Sequence, residues 1–363
     1  MPILFRYLLR EYAKLFAMCF AGLMTIYLVI DFFEKVRRFL RFDAQWLDVL
    51  GYFALKMPAI SFQIAPLAIL MATLLTLGLL SRSHEITAMR ACGISLPWIT
   101  SPFLAFAVGI ALILLWFSST VIPLATTTAE EIRVTRIEKK PPAAAMKVSE
   151  AWVRLNADTL MNIDTVGIGG HSLGGIRLFR FVLPFRLAEL TEVDDAQYVN
   201  GAWISSHSRH RKFSPDGTVT LTESDRQNLA LALLPEDFST GLAGDTELMT
   251  FREIRAYTSR LYQQGGHSAR LLTDYYGRIA FPLVTVVMVL IGIALSLRRS
   301  GTRGGSMAIG IGQALAVGFS YWATHSIAIA LGRGGVMAPM IAGWTANVLF
   351  ISLGLYLMLK VRY

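Results

Sequence analysis

The stretch Gly167-Ile168-Gly169-Gly170-His171-Ser172-Leu173-Gly174-Gly175 decides between two folds. Residues 170–174 spell G-x-S-x-G, the pattern of the nucleophile elbow in lipases and esterases. The elbow needs a strand before it, a helix after it and an α/β sheet beneath. Here "GIRLFRFVL" follows, and it alternates as a strand does. Five glycines in nine residues suit a loose hairpin turn. The serine therefore reads as a turn residue of an antiparallel sheet, and a membrane-anchored serine hydrolase using Ser172 is the alternative.

The flanking sequence agrees with the hairpin. "AWVRLNADTLMNIDTV" alternates and is rich in β-branched and aromatic residues, and "AQYVNGAWISS", "RKFSPDGTVTLT" and "QNLALALL" follow between turn signals. Short strands at this spacing predict an antiparallel sandwich, roll or barrel. Its inward, apolar face is expected among Trp152, Leu160, Ile163, Ile176, Leu178, Phe179, Trp203 and Val219. Neighbouring strand positions point to opposite faces, so the eight cannot all share one.

Further out the composition changes. The chain is 54% hydrophobic and 16% charged, against about 25% charged for a soluble domain. Six runs are long and apolar enough to span a bilayer: 13–33, 57–80, 97–122, 279–297, 306–331 and 337–359. The first run is too long for a signal peptide and lacks a small-residue cleavage site. The expected fold class is an α-helical membrane protein with six transmembrane helices (3+3) and a central all-β domain. Residues 1–122 hold helices 1–3, 123–278 the β domain and 279–363 helices 4–6, and 123–135 continue the third span as a helical stalk.

Charge follows the same division. Residues 123–278 carry 18 Lys/Arg and 19 Asp/Glu, whereas the rest carries 16 and 6. The basic excess lies at span ends, so a nucleic-acid partner is a poor reading. Arg6, Arg10, Lys14, Arg82, Arg90, Arg298, Arg299, Arg303, Lys360 and Arg362 fall on one side. Lys35, Arg37, Arg38, Arg41, Lys56 and Arg333 fall in short loops on the other. The asymmetry predicts both termini in the cytoplasm and the central domain outside. "EKVRRFLRF" (34–42) breaks the tendency, with four cations beyond the outer end of the first span. They serve as lipid anchors or as a patch for an anionic amphiphile.

Other chemistry is sparse. Cys19 and Cys92 support neither a disulfide framework nor a Cys-rich metal site. His207 and His210 fall on opposite faces of a strand, and no further ligands suggest a metal. "RRSGTRGGS" (298–306) lacks the lysine of a P-loop, so any ATPase is another chain. His325 and Gln313 are polar residues within spans, which either line a cavity or are satisfied packing residues, the second reading being favoured. Gly310, Ala314 and Gly318 form a small-residue face for close helix packing.

The cytoplasmic loop "SRSHEITAMRACGISLPW" (81–98) reads as a short amphipathic helix near 82–93, stopped at Cys92-Gly93 and followed by Pro97. An acidic residue near its start suits docking into a partner's groove. "SHEITAMRACGIS" (83–95) resembles the coupling segment of the LptF/LptG permease family of the lipopolysaccharide export ABC transporter, with His84 interposed. The 3+3 layout resembles that family throughout. "RYLLREY" and "DFFEKVRRFL" look like the G-type permease, and "SEITAMRACGIS" without that histidine looks as much like the F-type; LptG is favoured.

That resemblance implies a permease subunit that extracts lipopolysaccharide from the inner membrane and passes it to a periplasmic bridge. It implies a β-jellyroll as the periplasmic domain. The implied partners are an LptF-type permease (LptG if this chain is the F-type), an LptB ATPase dimer and LptC. ATP and Mg belong to the ATPase, with no cofactor in this chain. Glu85, Ile86, Met89, Arg90 and Gly93 would couple to the ATPase. Lys35, Arg37, Arg38, Arg41, Arg133 and Arg136 would meet the substrate's phosphates, and Trp152, Ile163, Leu178 and Trp203 its acyl chains. Asp31 stands where a cation is expected. A permease of the lipoprotein-release or FtsX type, with four spans and its large domain after the first, fits the layout less well.

Overall fold

In a computed structural model of the chain, the described residues are 2–42, 44–138, 151–155, 158–167, 170–182, 186–199, 201–214, 218–229, 231, 235, 250–263, 269–299 and 307–360. Residues 215–217, expected as a turn, together with Asn200, Arg303, Arg362 and the Arg38 side chain, lie outside them. Two compact units form, one from 1–37, 55–125 and 267–363, the other from 38–54 and 126–266.

Among the described residues, six helices are long and apolar enough to cross a membrane. The helices are α1 (Pro2–Arg41), α2 (Trp46–Arg82), the short α3 (Glu85–Ala91) and α4 (Leu96–Ile137). After the central sheet come α5 (Phe251–Gln263), α6 (Ala269–Ala280), α7 (Val284–Arg299), α8 (Met307–Arg333) and α9 (Pro339–Leu359). α6 and α7 make one span across a single 3-10 turn, Phe281–Leu283, at Pro282. The 40 residues of α1 rise about 60 Å, against about 30 Å of hydrocarbon. Residues 34–41, expected as a loop, are thus a helical extension, because helix-forming Glu, Lys, Arg and Leu continue there with no Gly or Pro. α4 runs on past its span through π turns at Phe117–Val121 and Ile132–Ile137.

Apolar packing alone does not hold helices together in lipid, where the tails are as apolar as leucine. Small residues and buried hydrogen bonds do that here. A Cβ on Gly343 would lie 2.9 Å from Gly277 N, and one on Gly318 2.7 Å from Leu67 Cδ1. The small face of α8 therefore packs within the chain. Tyr12 Oη lies 3.0 Å from Thr73 Oγ1, and Thr285 donates to the Ala107 carbonyl at 3.1 Å. Tyr321 donates to Asn347 Oδ1 at 2.8 Å, and Asn347 donates to the Ala280 carbonyl at 2.7 Å, beside the 3-10 turn.

Besides helical segments of α1, α2 and α4 and helix α5, the second unit holds a wholly antiparallel sheet: β1 (Ala151–Arg154), β2 (Thr159–Val166), β3 (Ser172–Val182), β4 (Arg186–Val199), β5 (Ala202–Ser205), β6 (His207–Phe213), β7 (Val219–Asp225) and β8 (Asn228–Leu229). β5 and β6 both pair with one edge of β4 in a single register, and β8 and β7 continue against them in turn. β5 and β6 thus act as one interrupted strand, and so do β7 and β8.

A crease crosses the sheet. Unbroken alternation buries positions an even number apart, yet Ile163/Val166, Leu173/Ile176, Val193/Ala196 and Ser205/Ser208 are buried three apart. The ladder skips a pair at that level, between Asp164 and Gly175 and between Gly175 and Asp194. Gly175 has φ +64, and a Cβ there would meet Asp164 Oδ2 at 2.5 Å, so glycine is required. Gln227 spans the crease: its N–H donates to Ser205 Oγ at 3.0 Å, and its Oε1 accepts from His210 Nε2 at 2.8 Å. On the crease, Asp164, Asp194 and Asp225 pair with Arg177, Arg209 and His207.

Strands stop before α5, although residues to 278 are expected as part of the β domain. Thr250 and Glu253 form a reciprocal capping box, at 2.7 and 3.3 Å, which starts that helix.

Candidate substrate and coupling sites

α3 begins with a reversal at His84, whose φ is 60. Glu85 is then held from two sides. Ser83 Oγ donates to its Oε1 at 2.8 Å and Tyr7 Oη to its Oε2 at 2.9 Å. Gly93, with φ +80, ends the helix, and Ile94 N donates to Met89 O at 3.1 Å. The expected coupling residues divide. Met89 is buried and Ile86 packs against the helix core, whereas Arg90 and Gly93 are exposed. The outward face is Thr87, Ala88, Arg90 and Ala91, with Glu85 at its start.

Arg37 and Arg41, one helical turn apart, are exposed on α1. Lys35 pairs with Asp31 on α1, and Lys56 of α2 lies 3.9 Å from the same carboxylate. Arg136 reaches Asp48 at 3.4 Å, and Arg133 pairs with Glu130. Sequence reasoning treats these as six free cations. Three of them, Lys35, Arg133 and Arg136, have an acid beside them; the first two pairs are local at i, i+4 and i, i+3, and only the Arg136–Asp48 pair joins distant segments.

An apolar cavity of about 320 Å³ lies in the first unit, lined by Gln63, Pro66 and Leu67 of α2, Phe281, Val284, Met288, and Leu315, Gly318, Phe319, Tyr321 and Trp322 of α8. Beside it His325 stacks on Tyr321 at 6.0 Å and contacts Phe281 at 5.7 Å. Its Nδ1 is buried with no hydrogen-bond partner among the described residues, so the cavity-side reading replaces that of a satisfied packing residue. No sequence motif marks this cavity, because its walls come from three distant segments.

In the sheet, Ile163, Ile176 and Trp203 are in one apolar core, with Leu178 packed against it. Trp152 is 57% exposed and stacks at 5.3 Å on Phe179, which pairs with Leu160 on the opposite face. Val219 is exposed as well. Trp152 thus stands apart from the other three expected acyl-chain residues.

Ser172 opens β3 directly. Gly167 N donates to its carbonyl at 2.7 Å, closing a strand–turn–strand hairpin where an elbow needs a helix. His207 pairs with Asp225 at 2.7 Å, and this hydrogen bond raises its pKa above the usual imidazole value. His210 instead bonds Thr191 and Gln227. Among the described residues no group of His, Cys, Asp or Glu has the arrangement of a metal site.

Three apolar spans before and three after an antiparallel sheet, with a short helix between the second and third, define a polytopic membrane protein of the permease kind. Residues 6–360 match the family described as "Lipopolysaccharide export system permease LptF/LptG", and the chain belongs to that family. It is similar to the lipopolysaccharide export system permease protein LptG of Escherichia coli K12 and to that of strain O6:H1. Identity to each is 21% over 318 residues, which is 86% of this chain and 86% of the relative.

Proposed function

We propose that this chain is the LptG-type permease of a lipopolysaccharide exporter, set in the inner membrane with both termini cytoplasmic and the sheet periplasmic. The observation that carries this is the family match across nearly the whole chain, on a fold that gives each step a place. α3 presents Glu85 and an exposed Arg90 to an LptB-type ATPase, which binds the ATP and Mg. The cavity between α2, α7 and α8 takes acyl chains at membrane level. The cations at the outer end of α1 take anionic sugars. The creased sheet, a jellyroll in this reading, receives the acyl chains on the Ile163–Ile176–Trp203 face and hands them to LptC and an LptF-type partner.

The test is ATP-dependent release of lipopolysaccharide from proteoliposomes holding this chain with its co-purified subunits. Wild type releases it. Glu85→Ala loses one charge-assisted contact, about 1.5–3 kcal/mol, and release stops while the chain still inserts. Full release by Glu85→Ala with the ATPase bound overturns the coupling role. Orientation is read from exposed Cys92 and buried Cys19: an impermeant maleimide labels Cys92 in inverted vesicles and not in whole spheroplasts.

A further inference from the structure

We propose that Tyr7 is a positioning residue for coupling: its hydroxyl sets the Glu85 carboxylate for the ATPase and ties α3 to the start of α1. This rests on the coupling reading above and gives a part to a residue which that reading leaves idle.

Three observations carry it. First, the hydroxyl links Glu85 to a different helix. Tyr7 Oη donates to Glu85 Oε2 at 2.9 Å across 78 residues of sequence. The other oxygen accepts from Ser83 Oγ at 2.8 Å, two residues away, so that bond travels with the loop and anchors it to nothing else. Both donors are neutral hydroxyls, so they fix the carboxylate without cancelling its charge. A glutamate fixed in advance has less rotamer freedom to lose when a partner docks on it.

Second, α3 needs fastening at that end. It is seven residues long, and a helix so short is marginal by itself. Its inner side is held, because Met89 belongs to the helix core and Ile86 packs against it. Its start is not capped, since the His84 side chain makes no capping hydrogen bond. The Tyr7 bond falls on Glu85, the first residue of that uncapped turn.

Third, α1 is built to offer the hydroxyl. Leu8 and Tyr12 are buried in the same core as Met89, and Leu4 packs against it. Tyr7, at the rim of that face, is 41% exposed. The acid one turn along α1, Glu11, is taken by Lys14 at 2.6 Å, which leaves the Tyr7 hydroxyl to bond across to α3. Further along α1, Tyr12 Oη lies 3.0 Å from Thr73 Oγ1 of α2. Hydroxyls of α1 thus reach both neighbouring segments, and a displacement of α3 is passed to the start of the first span.

The experiment titrates the purified ATPase onto the ATPase-free permease complex in nanodiscs and then measures lipopolysaccharide released per ATP hydrolysed. Tyr7→Phe keeps the ring of a partly exposed side chain and removes only the hydroxyl, so the chain inserts as wild type does. The half-saturating ATPase concentration rises about tenfold, the loss of one hydrogen bond to a charged group at a partly exposed site, and release per ATP falls. Glu85→Ala also binds the ATPase more weakly, and adding Tyr7→Phe to it raises half-saturation no further, because no carboxylate is left to place. A merely structural role for Tyr7 would instead add the same factor in both backgrounds. An unchanged half-saturation in Tyr7→Phe, or an equal loss with and without Glu85, overturns the proposal. A Glu85→Ala chain that binds the ATPase and releases lipopolysaccharide as wild type does overturns the coupling reading itself, a result distinct from either.

Discussion

In the membrane unit Phe319 and Trp322 are 69% and 61% exposed, while Asn347 and Thr285 are buried. In the β unit Trp203 is 1% exposed, and the surface carries paired charges such as Arg209–Asp194 and Arg211–Glu192. The same side-chain chemistry is placed in opposite ways because the surrounding solvents are opposite. In lipid a polar side chain is useful only inside, where it can bond a neighbouring helix. In water an aromatic side chain is useful only inside, where it removes apolar area. The two units should therefore fail through different substitutions.

The largest effect is expected from Trp203→Ala. It empties the centre of the sheet core and costs about 3–5 kcal/mol, read as loss of protease resistance in the β unit of the full chain at unchanged membrane insertion. An equal loss of resistance in the helices would break the comparison. Next comes Gly343→Val, which drives a branched side chain against the Gly277 backbone. Overpacking of this kind costs about 1–3 kcal/mol, seen as a lower melting temperature in detergent with the sheet still protected. Tyr321→Phe removes the hydroxyl that bonds Asn347 and should cost about 1 kcal/mol. Arg209→Gln, which breaks an exposed pair of similar appearance in a structure, should cost about 0–1 kcal/mol and less in high salt. If these last two costs were reversed, the solvent argument would be wrong.

The smallest effect is a pH dependence. The folded pKa of His207 is raised by its hydrogen bond to Asp225. A group with a raised folded pKa stabilises fully below its unfolded value, and the contribution is lost as pH rises through the folded value. Wild type should be slightly more stable than His207→Gln at pH 5.5, and the two should melt together at pH 8.5. A gap that opens at high pH would contradict the pairing.

The six spans, the central sheet and the family were all legible in the residues. A span needs only a run of about 20 apolar residues, and a strand only local alternation, so both are properties of contiguous sequence. The hairpin at Ser172 was legible too, because its glycines and the alternating "GIRLFRFVL" are neighbours. The length of α1 was not: hydropathy marks where lipid ends, and the helix continues past that point.

What only the tertiary structure decided depends on partners far apart in the chain. Alternation assigns sheet faces up to a parity, and the crease at Gly175 inverts that parity midway. Hence Trp152 and Trp203 lie on different faces although both read as inward. Ile86 and Met89 look available on an isolated helix, yet Met89 is part of the helix core and Ile86 packs against it. The cavity at Phe281 exists only where α2, α7 and α8 converge. Lys56 meets Asp31 across 25 residues of sequence, so the sequence displays the cations and the fold alone decides which acid restrains them. Composition and periodicity act over one or two turns, whereas packing and Coulomb attraction act through space.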